Sequence, residues 1–261
     1  MKQRVITAVL ALIVFVPIVY LGAWPLEIVV ALLGLIGLYE LIRMKGHTIF
    51  SIQGLVASIA LLLILLPVER WSMLTSIYSI ETWFYICGLI LMVATVFSKN
   101  HFTFDDAAVA ILGSIYIGYG FKYFLLIRSE GLPLLLLALF IVWATDIGAY
   151  LFGRQFGKHK LAPSISPNKT IEGSVGGIVS AIVVAGLFFM IYPLDFSLGW
   201  CMLLAAVISV AGQLGDLVES AFKRHYQVKD SGKLLPGHGG ILDRFDSILF
   251  ALPVLHLLTL I

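Results

Sequence analysis

L-P-L-L-L-L-A-L-F-I-V-W-A-T-D-I-G-A-Y-L-F, residues 132–152, is an almost unbroken apolar run with a single carboxylate, Asp146, in its interior. A helix that crosses a bilayer needs roughly 17 to 25 mostly apolar residues, and this stretch supplies them. The run lacks the strand alternation of an outer-membrane barrel, so the reading is helical. Working outward, comparable runs lie at 5–22, 25–42, 51–67, 80–97, 107–127, 173–193, 197–219 and 244–260, which makes about nine spans in all. Composition agrees. The chain of 261 residues is 60% hydrophobic and 12% charged, with a mean hydropathy of +1.03. Ordinary soluble domains carry about 25% charge, so a soluble class is excluded. The expected fold is an all-α, polytopic membrane bundle. With no internal repeat, low-complexity tract or linker, residues 1–261 read as one membrane domain, with N-terminal spans over 1–127 and C-terminal spans over 128–261. The first run could instead be a cleaved signal peptide, since Lys2 and Arg4 precede it and Leu21-Gly22-Ala23 ends it. Its length, and the span that follows at once, favour a retained helix.

The net charge of +2 matters less than where the charges fall. With nine spans, Lys2, Arg4, Arg43, Lys45, Lys99, Arg154, Lys158, Lys160, Lys169, Lys223, Arg224, Lys229, Lys233 and Arg244 share one face, while Arg70 and Arg128 lie opposite. The positive-inside rule makes the basic face cytoplasmic, with the N-terminus inside. The chain is therefore expected to be a multi-pass protein of the inner (plasma) membrane whose active site faces the cytoplasm. Trp24, Trp71, Trp83 and Trp200 fall near the other interface, where an aromatic belt would put them. Cys87 and Cys201 sit in apolar runs and carry no redox signal.

Two connections are long, 153–172 and 220–243, and both lie on the basic face. The second, with the residues that follow it, reads S-A-F-K-R-H-Y-Q-V-K-D-S-G-K-L-L-P-G-H-G-G-I-L-D-R-F-D over 220–246. It holds five cations, three carboxylates, two histidines and four glycines. Charge at that density beside hydrocarbon is costly unless paired, hydrated or liganded, so function is expected here. Just before it, Asp216, Ser220 and Lys223 recur at helical spacing on one face, with Glu219 beside them. Asp243 and Asp246 are one turn apart at the start of the last helix. Their mutual repulsion invites a cation, and Mg²⁺ favours one or two carboxylates together with phosphate oxygens, so Asp216, Asp243 and Asp246 form a candidate metal site. The alternative is structural: Asp243 caps the helix and pairs with Arg244, and Asp246 complements the helix dipole.

Lys223, Arg224, Lys229 and Lys233, with Gly232, Gly237, Gly239 and Gly240 allowing close backbone approach, suit a polyphosphate. A basic loop held to anionic lipid heads fits the same residues. His238, in P-G-H-G-G, reads as a phosphate donor or structural residue rather than a metal ligand. Asp146 should face the protein interior or a water-filled cavity. After it, S-P-N-K-T-I-E-G over 166–173 offers Ser166 and Thr170 as capping or hydrogen-bonding groups and Lys169 as a further phosphate ligand.

Residues 220–246 resemble the signature of the CDP-diacylglycerol synthases (phosphatidate cytidylyltransferases), an S-x-apolar-K-R, K-D, L-P-x-H-G-G-apolar-x-D-R-apolar-D pattern. Its fixed positions are all present: Ser220, Lys223, Arg224, Lys229, Asp230, Gly232, Pro236, His238, Gly239, Gly240, Asp243, Arg244 and Asp246. The stretches 146–157, 166–173 and Q-L-G-D-L-V-E-S around Asp216 are also similar to the family, while the N-terminal spans match only in character. The resemblance implies transfer of CMP from CTP to phosphatidic acid with Mg²⁺, giving CDP-diacylglycerol and pyrophosphate, in a homodimeric all-helical membrane fold. Nucleic acid is not an expected partner.

On that resemblance, Asp216, Asp243 and Asp246 are expected to hold Mg²⁺, and Lys223, Arg224 and Lys229 to clamp phosphate oxygens. Asp230 and His238 would orient those groups. Ser166, Asn168, Lys169 and Thr170 would sit at the cytidine or phosphate end, Ser220, Gly239, Gly240 and Arg244 would complete the substrate contacts, and Asp146 would close the cavity. The lipid phosphate is already an anion, so positioning and charge neutralisation should supply most of the rate. Three rivals differ in kind. One is a CTP-dependent enzyme acting on a polyprenol or an archaeal ether lipid. Another is a transporter using Asp146 for coupling, against which the polar cluster lies in loops at one face. The third, a non-catalytic membrane scaffold, leaves the paired carboxylates and the basic groove unexplained.

Overall fold

The computed structural model describes residues 13–234, 237 and 239–259. Residues 13–21 are helical and belong to α1. There follow α2 (Ala23–Met44), α3 (Ile52–Leu65), a 3₁₀ turn (Val68–Trp71), α4 (Ser72–Thr75), α5 (Ile80–Phe97), α6 (Phe104–Glu130) and α7 (Leu132–Phe156). A hairpin of β1 (Lys160–Ala162) and β2 (Ser166–Thr170) leads to α8 (Ile171–Ile191), α9 (Leu198–His225) and α10 (Leu242–Thr259). The chain is a polytopic helical membrane protein. Among the described residues six helices, α2 and α5 to α9, are long and apolar enough to cross a bilayer. The spans expected at 51–67 and 244–260 coincide with α3, an apolar helix of 14 residues, and α10, whose first turns carry Asp243, Arg244 and Asp246. The span expected at 5–22 lies partly outside the described residues.

Among the described residues the hairpin forms a two-stranded sheet in an otherwise largely helical chain. Lys160 pairs with Thr170 and Ala162 with Ser166, antiparallel, and the Ile165 amide closes the turn on the Ala162 carbonyl at 3.1 Å. Pro167 sits in β2 without penalty because a two-stranded ribbon leaves one edge of each strand unpaired.

By contacts the chain divides into two compact units, Met1–Leu125 with Val228–Arg244, and Leu126–Gln227 with Phe245–Ile261. In the first, the Ser114 hydroxyl of α6 lies 2.9 Å from the Ala57 carbonyl of α3, and Gly34 lets α2 settle against Leu61 and Leu65. Asp106 is buried at the start of α6, where it accepts from the Thr103 amide (2.7 Å) and meets Lys45 (3.3 Å) and His47 (3.2 Å). That pairing fastens the end of α2 to α6. Trp71 and Trp83 pack on Ala60, Leu63 and Cys87, and the Trp83 indole donates to the Leu74 carbonyl at 3.1 Å. These two tryptophans, expected in an interfacial belt, thus also brace the connection between α3 and α5.

In the second unit α7 packs along α8, and α8 along α9. The close approach of α7 and α8 depends on glycine. A Cβ at Gly177 would lie 2.8 Å from the Thr145 carbonyl, and one at Gly173 would lie 2.7 Å from the Ala149 carbonyl. Small residues serve this purpose in membranes, where association rests on packing and not on the hydrophobic effect. Gly177→Leu should therefore force α7 and α8 apart and destabilise the fold by about 1–3 kcal/mol. A thermal melt of the purified protein that matches wild type would show that this contact is dispensable.

Candidate active site

The second unit holds an open cavity of about 480 Å³, within the roughly 300–1,000 Å³ usual for ligand sites. Asp146, Tyr150 and Arg154 reach it from α7, Asn168, Lys169 and Thr170 from β2, Ser174 from α8, and Gln213 and Asp216 from α9. The polar wall exists because the chain leaves α7 at Gly157 and returns through the hairpin to begin α8 at once. Thr170 caps α8, its hydroxyl accepting from the Gly173 amide at 3.1 Å. Glu172 accepts from the Lys158 and His159 amides (3.0 and 3.2 Å) and pairs with His159 Nδ1 (2.6 Å), pinning the base of the hairpin. At its tip the Arg224 guanidinium, from the end of α9, donates to the Ile165 carbonyl at 3.1 Å.

Asp216 is the centre of this wall. One carboxylate oxygen meets the Lys169 ammonium at 2.5 Å and the other accepts from Ser220 at 3.3 Å. The helical face of Asp216 and Ser220 forms as the spacing predicts, but Lys223 turns to the fully buried Glu219 at 2.5 Å. Asp216 draws its cation from the hairpin instead. Asp246 lies close enough to Asp216 and Asp146 to feel both charges, with Lys223 opposing them. Carboxylates on α7, α9 and α10 thus share one region of the second unit, with Lys169 and Lys223 as counter-charges, and oxygen donors of this kind are those Mg²⁺ takes. No three His, Cys, Asp or Glu among the described residues already converge at metal-binding distance.

Of the signature, Val228–Arg244 belongs to the first unit, and its flanks, with Ser220, Lys223, Arg224 and Asp246, belong to the second. Asp243 Oδ2 accepts from the Ser231 amide (2.9 Å) and the Gly240 amide (2.7 Å) and lies 2.9 Å from the Ser231 hydroxyl, whose single proton it shares with Glu40, so this carboxylate closes the loop on the start of α10. Gly237 and Gly239 take positive φ of 80° and 84°, a conformation that costs glycine little. A Cβ at Gly232 or Gly240 would collide with Glu40, and one at Gly239 with Asp243. Packing inside the protein therefore calls for glycine at these positions, beyond any need to approach a ligand. Lys229, Asp230, Lys233 and Arg244 are exposed. His238 and Pro236 lie outside the described residues.

Sequence reading assigned no site role to Glu40, Tyr150, Arg154 or Gln213, though it set Tyr150 on the helical face of Asp146 and Arg154 on the basic face. Glu40 was open to the rule applied to Asp146, that a carboxylate in an apolar run needs a reason. The other three have no signal beyond helical register with Asp146 and Asp216.

Taken together, the fold and the chamber define a membrane-embedded helical protein that gathers aspartates, lysine and arginine around a polar cavity. The chain belongs to the cytidylyltransferase family, whose profile it matches over residues 2–261. It is similar to curated proteins named phosphatidate cytidylyltransferase from Staphylococcus haemolyticus and Staphylococcus epidermidis, each 48% identical over 260 residues, 99% of this chain and 98% of the relative. The same name and identity apply to a relative from Staphylococcus aureus over 262 residues.

Proposed function

We propose that this chain is a phosphatidate cytidylyltransferase, converting CTP and phosphatidic acid to CDP-diacylglycerol and pyrophosphate. The observation that carries this reading is likeness over nearly the whole chain to relatives of that name, signature loop included. A phosphate oxygen of the lipid attacks the α-phosphorus of CTP, the bond from that phosphorus to the oxygen bridging to the β-phosphate breaks, and pyrophosphate leaves with the electron pair. No strong base is required, because the nucleophile is already ionised.

Lys169 and Arg154 in the chamber, and Lys229 and Arg244 in the signature loop, supply cations for the phosphates. Lys169 is held in place by Asp216, and Arg224 holds the tip of the hairpin that carries Lys169. Asn168, Ser166 and Thr170 stand on the same hairpin, at the cytidine or phosphate end in this reading. Asp216, Asp243 and Asp246 are the residues we assign to Mg²⁺. Such an ion, when bound, would offset the charge that builds on the leaving pyrophosphate. In the same reading the chain is a homodimer of about nine spans in the plasma membrane, with its N-terminus and active site facing the cytoplasm, where CTP is available; the basic face read from the charges supports that orientation.

The test is pyrophosphate release from CTP by the purified chain, with and without Mg²⁺, phosphatidic acid or a polyprenyl phosphate. Release that needs both Mg²⁺ and phosphatidic acid is expected. Turnover with the polyprenyl phosphate alone would overturn the substrate assignment.

A further inference from the structure

Glu40 is a buried carboxylate of the first unit that accepts three hydrogen bonds, and the reaction scheme above gives it nothing to do. It lies near the C-terminal end of α2, 2% exposed. One oxygen accepts from the Ile241 amide at 2.9 Å, and the other accepts from the Leu242 amide at 2.9 Å and the Ser231 hydroxyl at 3.0 Å. The two amides open α10, so the carboxylate occupies the positive end of that helix. The same Ser231 hydroxyl lies 2.9 Å from Asp243 Oδ2. Gly232 and Gly240 close over the Glu40 side chain, leaving no room for any other side chain there. A buried charge of this kind is tolerated only where several donors meet it, and here Ser231, Ile241 and Leu242 supply them from one segment.

We propose that Glu40 is a positioning residue for the cytidylyl transfer: it anchors the signature loop and, through Ser231, sets the place of the Asp243 carboxylate. This deepens the functional reading above and rests on it. The contacts run in one physical chain. Glu40 fixes the first amides of α10 and the Ser231 hydroxyl; Ser231 and Gly240 then fix one oxygen of Asp243. Carboxylates that bind metals are themselves held by outer hydrogen bonds, and loss of such a partner costs about 10- to 100-fold in metal affinity. A glutamine at 40 keeps the shape, but its amide group must face one of the donors with another donor. Alanine at 231 keeps both α10 amides on Glu40 and the Ser231 amide on Asp243, and removes only the hydroxyl that lies between the two carboxylates.

The experiment uses the full chain in nanodiscs and compares wild type, Glu40→Gln and Ser231→Ala. It has two readouts besides turnover, namely amide hydrogen exchange of the segment containing Ile241 and Leu242, and Mn²⁺ affinity by electron paramagnetic resonance without nucleotide. For Glu40→Gln, exchange at these amides should rise about tenfold, as expected for a lost charge-assisted hydrogen bond. Mn²⁺ binding should weaken about 10- to 100-fold and the Mg²⁺ requirement for turnover should rise with it. Ser231→Ala should reproduce the metal defect with a smaller change in exchange. Faster exchange with unchanged Mn²⁺ affinity would reduce Glu40 to a structural anchor and overturn the proposal, as would two variants indistinguishable from wild type. A wild-type chain that binds no Mn²⁺ and forms no product would instead overturn the functional reading.

Discussion

Asp243→Asn is expected to lower cytidylyl transfer at saturating Mg²⁺ by at least about 100- to 1,000-fold, the scale on which loss of one preorganised electrostatic group is felt. The fold should survive. Asparagine can present its carbonyl oxygen to the Ser231 amide, the Ser231 hydroxyl and the Gly240 amide, the three groups that now meet Oδ2. What disappears is the negative charge. Kinetics together with a thermal melt separate the two effects, and near-normal turnover in a normally folded variant would remove Asp243 from the metal set. The structural alternative raised by the sequence, in which Asp243 only ties the loop, requires that outcome, since the tie is kept.

The second large effect is on stability as well as turnover. Lys223→Ala removes the cation that lies 2.5 Å from the fully buried Glu219, one helical turn away on α9. Breaking a buried pair from one side costs about 3–5 kcal/mol, because the remaining charge is stranded out of water. We expect a marked fall in melting temperature for Lys223→Ala and recovery of most of it in Lys223→Met with Glu219→Gln. Such a double variant should still turn over slowly if Lys223 also serves the phosphates. A double variant that regains both stability and rate would confine Lys223 to holding Glu219.

Much of the helical arrangement was legible because apolar runs of bilayer length have few other uses, and the observed helices fall close to the expected spans. The signature loop was legible for a related reason: charged residues beside hydrocarbon are costly, so a dense cluster marks a site. Helical spacing also placed Asp216 and Ser220 together, as observed. The same spacing could not choose a partner for Lys223, since Asp216 and Glu219 are both within reach on the helix. Burial chose Glu219. The hairpin over 160–170 was missed because its strands are short, polar and interrupted by Pro167, and its shape comes from Glu172 and Arg224 gripping it at either end.

Taken alone, the order of residues determined that this is a helical membrane protein and where its charged chemistry is concentrated, since hydropathy and charge density are local properties read along the chain. Only the tertiary structure decided that Lys169 answers Asp216 and that Glu40, some 200 positions from Leu242, holds the start of α10. Those assignments depend on which buried donor meets which acceptor, and a hydrogen bond between distant segments leaves no period or spacing in the sequence.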